Sequence, residues 1–271
     1  MSDHIVGVIG WPIEHSISPA MHNAALAAVG LRDWRYEKMA VPPDVLRHSL
    51  NEFRNHGLIG INVTIPHKRA VMPFVKCDAR AKAVGAVNTI DFRTNVGTNT
   101  DVAGFMDDLA AHGVEVQGAH AVVLGAGGAA RAAVYGLVNA GVRVSIVNRS
   151  PENAAQLIRE MGVEAAVADF SALRDAQLII NTTPVGMSPN VDASPLPEDV
   201  VVRDDVVLYD MIYRPMQTRL MAQVEALGGT VIGGLGMLVR QGAAAFALWT
   251  GVEAPVDVMF EAARKSLENR S

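Results

Sequence analysis

The chain has 271 residues, 50% of them hydrophobic and 19% charged, with 23 Lys and Arg against 28 Asp and Glu for a net charge of −5. A chain of this length buries roughly three-quarters of the surface it exposes when unfolded, so a sizeable core is available without staples; the single cysteine, Cys77, excludes an internal disulfide and a zinc site of paired thiolates. The acidic balance argues against a nucleic-acid partner, and an acid near the start, where a secretory leader carries basic residues, points with the lone thiol to a cytoplasmic protein.

In chain order, IVGVIG (5–10) reads as a buried strand. A helix follows in which Ser18 is expected as N-cap and Pro19 as the first helical residue, with Met21, Ala25, Leu26 and Val29 at helical spacing and Gly30 as the stop. A strand near 34–39 and a helix from 43 to about 54 come next. INVTI (61–65) alternates, so Ile61, Val63 and Ile65 are expected on one face, Asn62 and Thr64 on the other, and Pro66 ends the strand. Helical stretches over 66–84 lead to a strand at 86–91, and a helix runs from about 100 to 112. Strands at 121–125, 143–147, 177–181 and 206–210 alternate with helices, which implies parallel sheets with right-handed crossovers. The apolar stretch after Ala121 is broken by Arg131 and several glycines, short of the ~18 uninterrupted apolar residues of a membrane span. The boundary between two α/β units is expected at 100–103. Helices at about 237–249 and 255–269 close the chain, and nothing local says which unit they join.

Residues 121–150 form a complete βαβ pattern. Gly125, Gly127 and Ala130 match the fingerprint G-x-G-x-x-G/A, with Ala126, Gly128 and Ala129 between them. The first glycine allows a tight turn, the second lets the backbone approach a pyrophosphate, and the small third residue allows close helix–strand packing. Amides at the helix start then meet the phosphates. A unit selective for NAD places Asp or Glu at the end of the second strand to hold the ribose 2′-hydroxyl, whereas this chain has Asn148-Arg149-Ser150. An acid would repel a 2′-phosphate; a guanidinium and a hydroxyl attract one, which points to NADP.

A second set of polar residues precedes this unit. Asn62 and Thr64 share a strand face, Lys68 lies just past Pro66, Asn88 sits in a short strand, and Asp101 closes the run Thr98-Asn99-Thr100-Asp101. The mixture of amide, hydroxyl, ammonium and carboxylate suits a ligand rich in hydroxyls. Taken singly, each residue has a plain structural role: Asp101 as a helix N-cap, Asn62 and Thr64 facing solvent, Lys68 as a surface cation. The eight histidines contain no H-E-x-x-H, and His15 with His22 is poor ligand spacing, so no metal is expected.

The segments PIEHSISPAMHN, INVTIPHK, AVGAVNTI, GTNTD, GAGGAAR, VNRS, NTTPVGM, YDMIYRP and GGLGMLVRQGA, in this order and spacing, resemble the shikimate dehydrogenase family over essentially the whole chain. The resemblance implies two α/β domains. One is a substrate domain with a mixed sheet, 1–101 plus 237–271; the other is a Rossmann-type NADP-binding domain, 102–236. It implies reversible, NADP-dependent reduction of 3-dehydroshikimate to shikimate, a step of aromatic amino acid biosynthesis, by a cytoplasmic monomer or homodimer. Residue by residue, it places Ser16 and Ser18 on the substrate carboxylate and Thr64 and Asn88 on ring hydroxyls, with Asn62 nearby. Lys68 matches the catalytic lysine and Asp101 its partner, while Tyr213 and Gln241 match later substrate contacts. Gly125 to Ala130 and Asn148 to Ser150 match the cofactor loops, and Met211 and Gly236 the nicotinamide lining. Family members often carry a second arginine after the NR[ST] motif where this chain has Asn153, so NAD stands as a weaker alternative cofactor. A lysine can act as base for alcohol oxidation and as acid for ketone reduction, since burial lowers its pKa while a carboxylate raises it. Two alternatives are a quinate or quinate/shikimate dehydrogenase and a non-catalytic regulator on the same scaffold; the regulator would have lost Lys68 or Asp101, and both are present.

Overall fold

The structure is a computed structural model that describes residues 4–269. The chain divides into two compact units, one running up to Gly104 and again from Leu238, the other spanning Phe105–Met237.

The first unit is built on strand β1 (His4–Gly10), whose apolar run is buried at Val6, Val8 and Ile9. It pairs in parallel with β2 (Trp34–Ala40) and β3 (Gly60–Val63), so that Val8 lies opposite Lys38 on one side and Asn62 on the other. Beyond β3 the sheet turns antiparallel, through β5 (Thr89–Asp91) and β6 (Val96–Thr98), and ends on the two-residue β4 (Lys76–Cys77). Parallel pairing throughout is therefore not found here. The cause is local: only four residues separate β5 from β6, with Asn95 in the left-handed region at φ 55°, and such a loop closes a hairpin.

Three other expectations are corrected in this unit. The helix α1 (Ser18–Ala28) has Ile17 at its N-cap in helical conformation with no side-chain cap, so Ser18 is its first residue and does not cap it. β3 stops at Val63, and Ile65 is 66% exposed rather than buried with Ile61. Over 66–84 the only α-helix is α3 (Ala79–Val84), started by Asp78, which accepts from Ala81 N at 2.7 Å, and stopped by Gly85 at φ 69°. Helix α2 (Leu46–Asn55) covers the expected 43–54 segment apart from a 3₁₀ turn at its start.

The C-terminal helices α8 (Leu235–Thr250) and α9 (Val256–Glu268) bring residues from Leu238 onward into this unit. Trp249 is fully buried, and its indole N–H donates to the Ile90 carbonyl at 3.1 Å. Gly60 makes room for it, because a Cβ there would collide with the indole nitrogen and the Ile90 oxygen. α9 lies along α1. Beside Trp249, His22 stacks on Tyr36 with ring centroids 4.1 Å apart and planes 8° from parallel.

The second unit has the strand order β12-β11-β10-β7-β8-β9, all parallel. Its strands are β7 (His120–Leu124), β8 (Arg143–Val147), β9 (Ala165–Val167), β10 (Leu178–Asn181), β11 (Val207–Asp210) and β12 (Thr230–Gly233). Read from β9 the order is that of a doubly wound nucleotide-binding sheet, which reverses between β7 and β10. β9 and β12 are short, partly exposed strands whose sequences carry little periodicity. Helices α4 (Asp101–Ala111), α5 (Gly128–Asn139), α6 (Pro151–Met161) and α7 (Arg219–Ala226) complete the connections. Phe105, Val123, Leu137, Ile146, Ile180 and Tyr209 are fully buried in its core. Among the described residues no helix is long and apolar enough to cross a membrane.

His22 gives the first unit an acid-sensitive point. Burial pushes its pKa down from 6.5 to about 3. Between those values the unfolded chain binds a proton that the folded chain refuses, so stability falls as pH drops through this window, by about 1.4 kcal/mol per pH unit. Urea unfolding of the parent at pH 7 and pH 5 is expected to show this loss, and His22→Leu should lack that part of the slope. Equal slopes in the two proteins would count against it.

Candidate active site

In the second unit the turn after β7 requires glycine. Gly125 has φ +108°, and a Cβ there would lie 2.7 Å from Thr182 Oγ1 and 3.1 Å from Thr183 Cγ2, on the loop after β10. Thr182 in turn donates to the Leu124 carbonyl at 2.7 Å, tying the loops of the two switch-point strands together. Gly127 is the N-cap of α5 and faces open space, with no atom within 4 Å of where a Cβ would be. Ala130 is fully buried one turn on, while Ala126, Gly128 and Ala129 are half-buried at the helix start. Free amides beside unfilled space form a cradle that fits a pyrophosphate. At the end of β8, Asn148 Nδ2 donates to the Ser150 carbonyl at 2.9 Å and shapes the turn. Arg149 is exposed there, and no carboxylate of the described residues pairs with it. Ser150 is the N-cap of α6 without a side-chain cap bond, which leaves its hydroxyl for another partner.

The loops after β10 and β11 are joined by a buried clamp. Asn181 Nδ2 donates to Asp210 Oδ1 at 2.9 Å, and the Ile212 amide donates to the same oxygen at 3.1 Å. Thr218 donates to Asp210 Oδ2 at 2.8 Å and caps α7. Burial pushes the Asp210 carboxyl above its ordinary value, while these donors pull the other way. Met211 follows directly, its amide donating to the Asn181 carbonyl at 3.0 Å, and half-buried Tyr213 lies two residues further on. Gly236 is dictated by Asp108, whose buried carboxylate accepts from Tyr209 at 2.6 Å; a Cβ on Gly236 would run into it.

In the first unit the polar residues converge. Lys68 Nζ donates to Asp101 Oδ2 at 2.7 Å, with side chains 17% and 5% exposed. Asn88 Nδ2 donates to Asp101 Oδ1 at 2.8 Å, to Thr100 Oγ1 at 2.9 Å and to Gln241 Oε1 at 3.3 Å. The backbone fixes these positions. Val87 N donates to the Lys68 carbonyl at 2.8 Å and Val63 N to the Asn88 carbonyl at 2.7 Å. Beside Lys68, buried His67 donates from Nε2 to the Val41 carbonyl at 2.7 Å, which makes it a structural neighbour. Asn62 is buried at 6% exposure rather than facing solvent, and half-buried Thr64 follows the end of β3. Ser16 Oγ accepts from Ser18 N at 3.3 Å, which orients the S-x-S turn at the start of α1.

Two participants escaped sequence reasoning. Tyr36 donates to Asn62 Oδ1 at 2.8 Å; burial pushes its phenol well above its ordinary value, against a smaller opposing effect of the nearby Ser18 hydroxyl. Thr89 bonds Asn62, Asn88 and Thr100. Thr89 sits beside Asn88 in the quoted AVGAVNTI segment, whereas nothing near Tyr36 in WRYEKMA distinguishes it from a core tyrosine. Among the described residues no three His, Cys, Asp or Glu side chains come together as a metal site would need.

Three family models match the chain. Residues 8–90 match the shikimate dehydrogenase substrate-binding domain, 108–187 the shikimate/quinate 5-dehydrogenase model and 234–264 the shikimate 5′-dehydrogenase C-terminal domain. The chain is 44% identical over 269 residues to the shikimate dehydrogenase (NADP(+)) of Methanocella arvoryzae, covering 97% of this chain and 99% of that one. It is 45% identical over 281 residues to the enzyme of the same name from Symbiobacterium thermophilum, covering 98% and 95%. The crystal structure of shikimate 5-dehydrogenase from Thermus thermophilus in complex with NADP(H) and shikimate aligns with a TM-score of 0.90 at 39% identity, over 97% of this chain and 100% of that one. With this identity running through both units, the chain belongs to the shikimate dehydrogenase family.

Proposed function

We propose that this chain interconverts 3-dehydroshikimate and shikimate with NADP as cofactor, in the cytoplasm, to which its lone cysteine is suited. The observation that carries the reading is the Lys68–Asp101 pair at 2.7 Å, sheltered from water and held by an amide, on the same chain as a phosphate cradle. The unit ending near Gly104 and resuming at Leu238 is the substrate domain, and Phe105–Met237 is the NADP domain.

Nicotinamide, when bound, supplies the acceptor and donor of hydride. Lys68 supplies the proton chemistry: it takes the proton of the reacting hydroxyl during oxidation and returns it to the carbonyl oxygen during reduction. Asp101 holds the Lys68 amino group in place. Asn88 has two amide hydrogens. One serves Asp101, and the other, shared between Thr100 and Gln241, turns to a ring hydroxyl. Thr64 and Gln241 contact the remaining ring hydroxyls, with Tyr213. Ser16 and Ser18 hold the carboxylate at the amino end of α1, where free amides favour an anion. In the NADP domain Gly125 to Ala130 receive the pyrophosphate and Asn148, Arg149 and Ser150 the 2′-phosphate, while Met211 and Gly236 line the nicotinamide.

Initial rates with shikimate and quinate, each against NADP and NAD, test the assignment; shikimate with NADP should be fastest, and a preference for quinate with NAD would overturn it. Lys68→Ala should lose about 10²–10⁴ in kcat while still binding NADP, and adding Asp101→Asn should cost little more, because groups that act as a unit are non-additive. Parental turnover in Lys68→Ala would leave the lysine a spectator. Arg149→Ala should weaken NADP by roughly ten- to 150-fold, the worth of a hydrogen bond to a charged group, and leave NAD nearly unchanged. Equal losses for both cofactors in a binding titration would mean that Arg149 supports the adenine or the fold.

A further inference from the structure

Both hydrogens of the Asn62 amide are given to the protein. Tyr36 donates to its Oδ1 at 2.8 Å, and its Nδ2 donates to the Asn88 carbonyl at 3.3 Å and to Thr89 Oγ1 at 3.1 Å. An amide nitrogen has two hydrogens, and both are used. The polarity of this arrangement cannot reverse. A backbone carbonyl only accepts, so the nitrogen end of Asn62 faces Asn88 and the oxygen end faces Tyr36, whose phenol must donate. Thr89 receives a hydrogen from Asn62, and its own goes on to Asn88 Oδ1 at 3.1 Å or Thr100 Oγ1 at 3.2 Å.

Asn88 is pinned in the same sense from the other side. The Thr100 amide, which only donates, meets its Oδ1 at 2.7 Å, and the Asp101 carboxylate, which accepts, meets its Nδ2 at 2.8 Å. One donor direction therefore runs from Tyr36 through Asn62, Thr89 and Asn88 to Asp101, and Lys68 closes it from the far side. Every member between Tyr36 and Asp101 is buried.

We infer that Tyr36, Asn62 and Thr89 are positioning residues for the reaction, and that they hold Asn88 with its nitrogen on Asp101. The inference rests on the reading of Lys68 and Asp101 as the catalytic pair. It gives Asn62 a role through Asn88 rather than through a hydrogen bond donated to the substrate, because both of its amide hydrogens are given to the protein. Loss of the Tyr36 hydroxyl leaves a buried acceptor on Asn62 without its donor. Loss of the Thr89 hydroxyl removes both an acceptor for Asn62 and a donor to Asn88. Either loosens Asn88 and misplaces Asp101, which slows the reaction.

The test is steady-state oxidation of shikimate by NADP in Tyr36→Phe, Thr89→Val, Thr89→Ser and the Tyr36→Phe/Thr89→Val double variant, with thermal midpoints measured alongside. Phenylalanine keeps the ring stacked on His22 and deletes only the hydroxyl. Tyr36→Phe and Thr89→Val should each lower kcat about tenfold, by more than they change KM for shikimate, because misplacing Asp101 acts on the chemical step. Thr89→Ser, which keeps the hydroxyl, should stay within about twofold of the parent in both constants. The double variant should be little worse than the poorer single one, since both act through one amide. A raised KM at unchanged kcat would mean that the chain of bonds serves substrate binding and not the catalytic pair, and a lowered midpoint with both constants unchanged would make it purely structural; either overturns the inference. Lys68→Ala in the same assay separates the two readings. Lost turnover there, with parental kinetics in Tyr36→Phe and Thr89→Val, defeats the positioning role alone, whereas parental turnover in Lys68→Ala defeats the catalytic pair on which it rests.

Discussion

A carboxylate buried to 4% exposure, as Asp101 is, must be given a donor on each oxygen, and this requirement organises the first unit. Lys68 meets one oxygen and Asn88 the other. Removing one partner of such a pair typically costs about 3–5 kcal/mol, because the remaining charge is left without compensation. The pair is therefore kept by its surroundings: the antiparallel turn of the sheet sets Asn88 beside β3, and the Lys68 carbonyl is tied to the segment that leads into Asn88. The break in parallel pairing, which looks like an irregularity in an α/β unit, is what carries Asn88 and Asp101 to the same place.

The second unit meets a different demand. Its recognition surface is mostly backbone, so what matters is where side chains are absent. Gly125 gives way to the threonines of the neighbouring loop, Gly127 opens the helix start, and Gly236 gives way to Asp108. The side chains that remain, Asn181, Asp210 and Thr218, bond to one another and to the loop backbones, and hold the two loops beyond β10 and β11 in fixed shape. Arg149, by contrast, is left exposed at the rim.

His22, fully buried in the first unit, sits in an unaccommodating spot. Neither ring nitrogen of His22 has a hydrogen-bond partner, and an unsatisfied buried polar group costs about 1–3 kcal/mol. The ring stack with Tyr36 offsets part of that, at about 0.5–1.5 kcal/mol. The stack also fixes the phenol so that its hydroxyl reaches Asn62.

Much of this was legible in the residues alone. Strand–helix alternation, the glycine fingerprint and the absence of an acid at the end of β8 are local patterns, each set by steric or electrostatic needs that act within a few residues. They gave the doubly wound unit and its cofactor class, while family resemblance grouped Lys68, Asn88 and Asp101. The remainder depended on partners distant in sequence. Asn62 read as a solvent-facing residue because alternation tells which face a side chain takes and not what covers that face; Tyr36, 26 residues away, covers it. Ser18 read as a cap because hydroxyl-then-proline fits one, yet the helical conformation of Ile17 places it inside the helix. The last two helices have no local mark of allegiance, and the indole of Trp249 meets Ile90 across 159 positions of chain. Periodicity and propensity act over a turn or a pleat, whereas a buried amide, a mixed sheet or a docked helix is decided by what the folded chain brings beside it.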